Sequence, residues 1–322
     1  MPDGIAQIAA GAFSGGSYTN GAGCRAYKLF APHRYHGQAL PLVVMLHGCT
    51  QDPDDFAAGT RMNQAADESD CFVLYPQQSK TANPSLCWNW FNALNQQRGH
   101  GEPSIIADMA REVIKTCGID ARQVFVVGMS AGGAMAVILA AAYPDLFSAV
   151  GVHSGIPYQA AQDLLTALSA MRRGAEDSAL KNLKHVRAIV FHGSRDRKVH
   201  PRNGEQIILQ LLGSSPASTT GQGVILQTGT KNGRSFQRKI FRHPDGRALA
   251  EQWLVKGTGH AWSGGSPEGS HVDPAGPDAS REMLRFLLGS PDPVGTSGEA
   301  GAQKSLLRRA LHALKLVPTQ DP

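Results

Sequence analysis

The chain has 322 residues, of which 42% are apolar and only 18% are charged, values that exclude a largely disordered protein. The net charge of +5 is spread along the chain, whereas a nucleic-acid binder usually shows a concentrated basic face. No apolar run approaches the ~20 residues that a membrane-spanning helix needs.

Short apolar runs alternate with longer segments of helical spacing, which is typical of an α/β fold with a mostly parallel sheet between helices. Five runs are apolar enough to be strands covered on both faces. They span residues 42–47, 71–75, 124–128, 149–153 and 188–192. Helices are predicted over residues 105–116, 132–142 and 281–288.

The strand over residues 42–47 runs into a His-Gly pair, which lets the chain turn inward. We expect this loop to present the backbone N–H of Cys49, or that of Thr50, to an oxyanion. Thr50 is also expected to contact substrate. A cluster of aromatic residues follows at 87–91, and Trp88 is expected to face an apolar cleft. Core packing is the equally weighted alternative for this tryptophan.

Residues 128–132 read Gly-Met-Ser-Ala-Gly, a G-x-S-x-G pattern between the strongest predicted strand and an alanine-rich helix. This context is typical of a nucleophile elbow, where a sharp turn exposes the serine and leaves room only for small neighbours. The pattern therefore predicts Ser130 as a nucleophile. The N–H of Ala131, directly after it, is predicted to be the other oxyanion donor.

A nucleophilic serine needs a base and an orienting carboxylate. Asp196 follows the strand over residues 188–192, at the sheet edge where such folds place their active sites. His260 lies in a glycine-rich loop after the last predicted strand, so we expect Asp196 as the acid and His260 as the base. Asp245, in a predicted hairpin turn, and His271 are the weaker alternatives.

Other segments have less direct roles. Residues 156–184 are predicted to form one or two amphipathic helices, a candidate cap beside the active site. Trp262 is expected to contact substrate because it lies two residues from the base. His47, His153 and His192 each end a predicted strand and are expected to make structural hydrogen bonds.

The catalytic domain is predicted to span residues 1–289. Residues 290–303, rich in Gly, Pro and Ser, are expected to be a linker, and residues 304–322 a basic amphipathic helix and tail. The helix is expected to dock on its own domain or to fray, with a membrane-surface or partner role as the alternative. The N-terminus lacks the features of a secretory signal. We therefore expect a cytoplasmic protein, or a secreted or periplasmic one whose leader has been removed.

Five cysteines are present, and they form no Cys-x-x-Cys pair that would indicate zinc or redox chemistry. Buried free thiols are the first expectation. Cys49 and Cys87 border the same predicted site, however, so a disulfide between them is a hypothesis for an oxidising compartment.

Together these motifs resemble the esterase family of polyhydroxybutyrate depolymerases, which is related to feruloyl and acetylxylan esterases. The resemblance runs through residues 46–51, 87–90, 122–133, 192–201 and 259–265. It implies an α/β-hydrolase fold and hydrolysis of carboxylic esters without a cofactor or metal. It also implies Ser130, Asp196 and His260 as the triad, with Cys49 and Ala131 at the oxyanion hole.

The first functional hypothesis is a serine carboxylesterase acting on hydroxyalkanoate oligomers or polyesters, or on aryl esters. A feruloyl or acetylxylan esterase is the alternative within enzymes, and a catalytically silent binding protein with the same fold is the alternative outside them. No nucleic-acid partner is expected, and the sequence leaves the oligomeric state open.

Overall fold

A computed structural model describes residues 9–176, 186–212, 224–243 and 246–289. Within these ranges the chain forms a ten-stranded sheet flanked by helices. The strands are β1 (Phe13–Asn20), β2 (Gly23–Phe30), β3 (Leu42–Leu46), β4 (Phe72–Pro76), β5 (Val124–Met129), β6 (Ala149–His153), β7 (Arg187–Gly193), β8 (Val224–Lys231), β9 (Arg234–Arg242) and β10 (Ala248–Val255). A separate pair consists of β11 (Trp262–Ser263) and β12 (Val272–Asp273).

The helices are α1 (Pro53–Thr60), α2 (Met62–Glu68), α3 (Gly101–Cys117), α4 (Ala131–Ala142), α5 (Leu164–Arg173), α6 (Arg202–Leu212) and α7 (Ala279–Leu287), with a short 3₁₀ helix at Ala93–Gln96. Buried side chains of α3, α4, α5 and α6 pack with one face of the sheet. Those of α1, α2 and α7 pack with the other face. Along β3, Val44 belongs to the first core and Val43 to the second, because successive side chains point to opposite faces.

The sheet order is β1-β2-β4-β3-β5-β6-β7-β10-β9-β8. Its six central strands, from β4 to β10 in this order, are parallel, and antiparallel pairs extend both sides. Parallel strands end at a common edge, so the loops that follow β3, β5, β6, β7 and β10 gather there. This edge holds the predicted site residues.

The five predicted strands are confirmed, with bounds that differ by at most one residue at either end. The predicted α/β-hydrolase arrangement, a mostly parallel central sheet with helices on both faces, is likewise confirmed. The hairpin predicted around residue 245 joins β9 to β10, although Asp245 itself lies outside the described residues. The N-terminal hairpin β1–β2 and helices α1, α2 and α6 were not predicted.

The segment predicted as a cap contains one described helix, α5, whose Asp163 N-cap accepts a hydrogen bond from the Thr166 N–H at 2.8 Å. Its outer face carries exposed leucines, with Leu165 81% exposed. Residues 177–184 of the segment lie outside the described residues.

The described residues up to Leu288 belong to one compact unit. The predicted linker and basic helix lie outside the described residues, so the domain division at residue 289 stays a prediction. Within the ranges given above, no helix has both the length and the apolar character that crossing a bilayer requires.

Candidate active site

Ser130 lies at the sharp turn between β5 and α4, with φ 56° and ψ −120°. Positive φ is uncommon for a residue other than glycine and is characteristic of strained functional turns. The turn is possible because the residues two positions before and after Ser130 are glycines. A Cβ on Gly128 would overlap the Gly132 carbonyl, and one on Gly132 would overlap the Leu46 carbonyl. The backbone at Ser130 therefore has the conformation expected of the predicted nucleophile elbow.

A hydrogen bond joins the predicted acid, Asp196, to the predicted base, His260. His260 Nδ1 and Asp196 Oδ2 lie 2.7 Å apart. The other carboxylate oxygen, Oδ1, accepts the backbone N–H groups of Lys198 and Val199, each at 2.9 Å. With its Nδ1–H donated to the carboxylate, the His260 ring keeps Nε2 free to accept a proton.

The environment of Asp196 favours its charged form. Burial alone would raise its pKa, but the hydrogen bond and charge of His260, with the Val199 N–H, lower it to about 2. The side chain is completely buried, whereas the His260 side chain is 8% exposed. The pair is thus a buried carboxylate behind an imidazole that reaches the surface.

The loop that carries His260 rests on the strand next to the elbow. His153, at the end of β6, accepts the Ser263 N–H through Nε2 at 3.1 Å and stacks on Trp262 with ring centroids 5.1 Å apart. The His153 carbonyl accepts the Ser130 N–H at 2.9 Å. A single residue therefore contacts both the serine turn and the base loop. The described residues show no hydrogen bond between Ser130 and His260, so their direct proton transfer remains a proposal.

The predicted oxyanion loop passes beside the elbow, since a Cβ on Gly48 would lie 3.6 Å from that of Ser130. The sequence left Cys49 and Thr50 as alternative donors. The Thr50 N–H donates to the Ser85 carbonyl at 2.7 Å. Among the described residues the N–H groups of Cys49 and Ala131 have no acceptor. These two groups are therefore the ones available to a negatively charged oxygen.

Cys49 and Cys87 form a disulfide, with Cα atoms 4.2 Å apart. The hypothesis of this bond is thus supported over five free thiols. Cys71 and Cys117 are buried thiols, as first expected for the cysteines in general, and Cys24 is exposed. The disulfide links the oxyanion loop to the aromatic segment at residues 87–91.

The structure corrects the expectation that two tryptophans contact substrate. Trp88 is 0% exposed and packs against the His47 ring, with centroids 5.6 Å apart. Trp262 is 1% exposed, and its Nε1–H donates to Ser280 Oγ at 3.2 Å. Burial of the full indole in the core explains both positions, so the core-packing alternative holds for Trp88.

Thr50, the third predicted substrate contact, is exposed beside the site, and its Oγ1 lies 3.4 Å from His271 Nε2. Its substrate contact stays a prediction. His271, the weaker candidate for the base, has a pKa lowered by burial and by the nearby charges of Lys198 and His260. The carboxylate of Asp196 bonds His260 instead. The competing acid, Asp245, lies outside the described residues.

The three histidines expected to be structural are buried and hydrogen bonded. Burial lowers the pKa of His153 to about 3 and that of His192 to about 4, and it also lowers that of His47. All three therefore stay neutral at pH 7. Across the described ranges, no three His, Cys, Asp or Glu side chains are grouped to hold a metal ion.

Sequence reasoning did not identify the residues that support the loop after β3. Buried Gln51 accepts the Gly48 N–H through Oε1 at 3.0 Å, and buried Gln78 donates its own N–H to His47 Nε2 at 3.1 Å. Gln51 lies three residues after Gly48, so a local turn signal was present. Gln78 is distant in sequence and offered none.

Comparison with known proteins gives a consistent family. The profile described as esterase PHB depolymerase matches residues 25–222. Poly(3-hydroxyalkanoate) depolymerase C of Paucimonas lemoignei is 30% identical over 246 residues, which cover 73% of this chain and 56% of that protein. Feruloyl esterase B of Neurospora crassa is 28% identical over 190 residues, covering 52% of this chain and 63% of that protein. The chain thus spans between half and two thirds of the length of these two curated relatives.

Acetylxylan esterase A of Talaromyces purpureogenus is 28% identical over 202 residues, covering 55% of this chain and 52% of that protein. Among solved structures, the acetyl xylan esterase from Aspergillus awamori superposes with a TM-score of 0.60 at 20% identity. The superposition covers 82% of this chain and 93% of that one. At this identity the likeness concerns the fold alone.

Proposed function

The chain belongs to the esterase PHB depolymerase family, and on this premise we propose that it is a serine carboxylesterase working through an acyl-enzyme. The observation that carries the proposal is the 2.7 Å hydrogen bond between buried Asp196 and His260, at the same sheet edge as the Ser130 elbow. A serine turn alone is a common pattern. An oriented imidazole beside it is what nucleophilic catalysis requires.

In the proposed mechanism, His260 Nε2 takes the Ser130 proton as Oγ attacks the ester carbonyl. The Cys49 and Ala131 N–H groups stabilise the resulting oxyanion. The tetrahedral intermediate collapses, the alcohol leaves with the proton from His260, and Ser130 is acylated. Water, deprotonated by His260, then attacks the acyl-enzyme. The second tetrahedral intermediate collapses and releases the acid as His260 returns the proton to Ser130 Oγ. Asp196 keeps the imidazole in the required tautomer and stabilises its charged form.

For substrate, we propose esters of hydroxyalkanoate oligomers or of amorphous polyester. The depolymerase relative named above supports this choice. So does the apolar surface of α5, where Leu164 and Leu168 are 59% and 40% exposed beside Leu165. This helix adjoins the acid loop, because the His200 N–H donates to the Met171 carbonyl at 2.7 Å. An apolar face beside the site suits a water-insoluble ester.

The feruloyl and acetylxylan esterase relatives support a second candidate, hydrolysis of plant cell-wall esters. A panel of hydroxybutyrate oligomers, methyl ferulate and acetylated xylan, compared by kcat/KM, separates the two. We expect the highest kcat/KM for the hydroxybutyrate oligomers. A higher value for methyl ferulate or acetylated xylan would favour the second candidate.

The enzymatic proposal itself is tested by Ser130→Ala with p-nitrophenyl butyrate as substrate. Removing the nucleophile is expected to lower kcat by about 10⁶-fold, a loss typical of serine hydrolases. Circular dichroism should show the variant folded. Wild-type protein without turnover on any of these esters would instead support a silent binding protein.

A further inference from the structure

We infer that His47 is a positioning residue for the oxyanion hole, because it holds and polarises the peptide group whose N–H is the Cys49 donor. The Gly48 carbonyl and the Cys49 N–H belong to one peptide group, and His47 Nδ1–H donates to that carbonyl at 2.7 Å. The inference rests on the proposed function, since it concerns the hydrolytic site described above.

The backbone around Cys49 is fixed at nearly every polar group. The Gly48 N–H donates to Gln51 Oε1, and the Thr50 N–H donates to the Ser85 carbonyl. The Cys49 carbonyl accepts the Thr50 hydroxyl. The Cys49 N–H is left without an acceptor among the described residues. Cys49 is half-buried, and an N–H left free beside a reactive serine is available to a ligand oxygen.

The direction of the His47 bond follows from the other ring nitrogen. The Gln78 N–H donates to His47 Nε2 at 3.1 Å, so Nε2 must carry the lone pair. A neutral imidazole then has its proton on Nδ1, which makes His47 the donor to the Gly48 carbonyl. The ring is 1% exposed, and its burial disfavours a second proton. The backbone N–H of Gln78, in the loop that follows β4, therefore sets the tautomer of His47.

A buried network holds this arrangement in place. The Gln78 side chain donates to the Cys87 carbonyl at 2.9 Å and to Glu102 Oε1. Glu102 also accepts the N–H of Asn89 at 2.8 Å. Cys87 is the disulfide partner of Cys49. Gln78 therefore contacts His47, at the start of the oxyanion loop, and also Cys87, to which this loop is covalently bonded. Trp88, which does not reach the cleft, covers one side of the His47 ring.

The chemical consequence concerns the transition state. A carbonyl that accepts a hydrogen bond polarises its own peptide group, and the N–H at the other end becomes a stronger donor. That donor acts on the charge that develops as the ester is attacked, so losing its support should lower kcat rather than raise KM. Removing a whole oxyanion donor typically lowers kcat by about 10²–10³-fold.

The test compares two amide replacements. An Asn side chain places its amide near the position of Nδ1, and a Gln side chain places its amide near that of Nε2. His47→Asn therefore keeps a donor for the Gly48 carbonyl, whereas His47→Gln keeps only an acceptor for Gln78. We expect H47Q to lower kcat for p-nitrophenyl butyrate by about 10- to 100-fold with KM changed less than about twofold. H47N should recover most of this loss.

A boronic-acid inhibitor that forms a tetrahedral adduct with serine should lose affinity in H47Q by a factor close to the loss in kcat. His36→Gln, at an exposed position before β3, is the matched control and should behave as the wild type. If H47Q keeps the wild-type kcat, or if folded H47N and H47Q lose activity equally, the inference is wrong. A wild-type enzyme without Ser130-dependent turnover would instead overturn the proposed function and the inference with it.

A measurement on the wild type covers the case in which the variants fail to fold. Nitrogen-15 NMR of labelled histidines distinguishes protonated from unprotonated ring nitrogens. We expect His47 to carry its proton on Nδ1 with Nε2 bare. The opposite tautomer would contradict the inference without any substitution.

Discussion

Asp196 is fully buried and still charged, because each of its oxygens receives hydrogen bonds from groups held by the fold. With its pKa lowered to about 2, this carboxylate stays ionised between pH 7 and pH 4. Any loss of activity between pH 7 and pH 4 must then come from another group.

Replacing this charge while keeping the shape of the side chain gives a direct test. Asp196→Asn should leave the protein folded but lower kcat by about 10⁴-fold, because the amide no longer selects the His260 tautomer with a free Nε2. Steady-state kinetics on p-nitrophenyl butyrate measures this loss. Asp145→Asn, at an exposed carboxylate paired with Arg98, is the control and should change kcat less than about twofold. A loss below tenfold in D196N would mean that another carboxylate orients the base.

At the scale of elements, the site depends on how closely β3, β5 and α4 approach one another. Gly132 lies where the first turn of α4 passes the carbonyls of Leu46 and His47, and a Cβ there would overlap the Leu46 oxygen. These atoms belong to backbone and cannot rotate away. The same contact keeps the oxyanion loop next to Ser130.

Gly132→Ala should therefore reduce both stability and activity. We expect the free energy of unfolding to fall by about 3 kcal/mol, at the upper end of ordinary overpacking, and kcat to fall by at least about 10-fold. Urea denaturation and esterase assays measure the two effects. Gly21→Ala is the matched control, because a Cβ at Gly21 meets nothing within 4 Å. Equal behaviour of the two variants would show that the strand–helix approach tolerates a methyl group.

The predictable elements were those whose signal is local. Strands β3 to β7 are mostly apolar because both faces are covered, and the elbow needs small residues at fixed positions, so both could be found from the sequence. The hairpin β8–β9 also had a signal, Asn232-Gly233, which takes positive φ at both residues. No hairpin was predicted there.

Other features depend on contacts between distant segments. The aromatic segment around Trp88 is typical of a cleft lining. Trp88 is nevertheless buried, because residues distant in sequence, among them His47, pack around it. The pairing of Gln78 with His47 and the burial of Trp262 against His153 likewise join loops that are far apart in the chain. No periodicity reports such contacts, so these residues could not be placed from one sequence.

At the scale of the whole molecule, three buried neutral histidines lie at or next to the ends of strands β3, β6 and β7: His47, His153 and His192. Their folded pKa values lie below the unfolded value of 6.5. Below pH 6.5 the unfolded chain therefore binds protons that the folded chain does not. Stability from these groups is present above pH 6.5 and is lost as the pH falls toward the folded pKa values.

His192→Gln isolates one of these groups, because the Gln amide can still donate to the Val199 carbonyl that His192 Nε2 bonds. The wild-type free energy of unfolding should decrease between pH 8 and pH 5, and the decrease should be smaller in H192Q by about 2 kcal/mol. Urea denaturation at both pH values gives the difference. At pH 8 the free energies of unfolding of the two proteins should differ only by the pH-independent effect of the substitution. Equal decreases in the two proteins would mean that His192 is protonated in the folded state.

Because Cys49 forms a disulfide, the activity of a preparation should depend on the redox conditions under which the protein was made. Chains made where thiols are kept reduced would carry the same catalytic side chains but lack the covalent tie beside the oxyanion donor. Two preparations of the same sequence could then differ in turnover even though titration of the active-site serine gives the same amount in both. Recording the oxidant present during folding becomes as necessary as recording the pH of the assay.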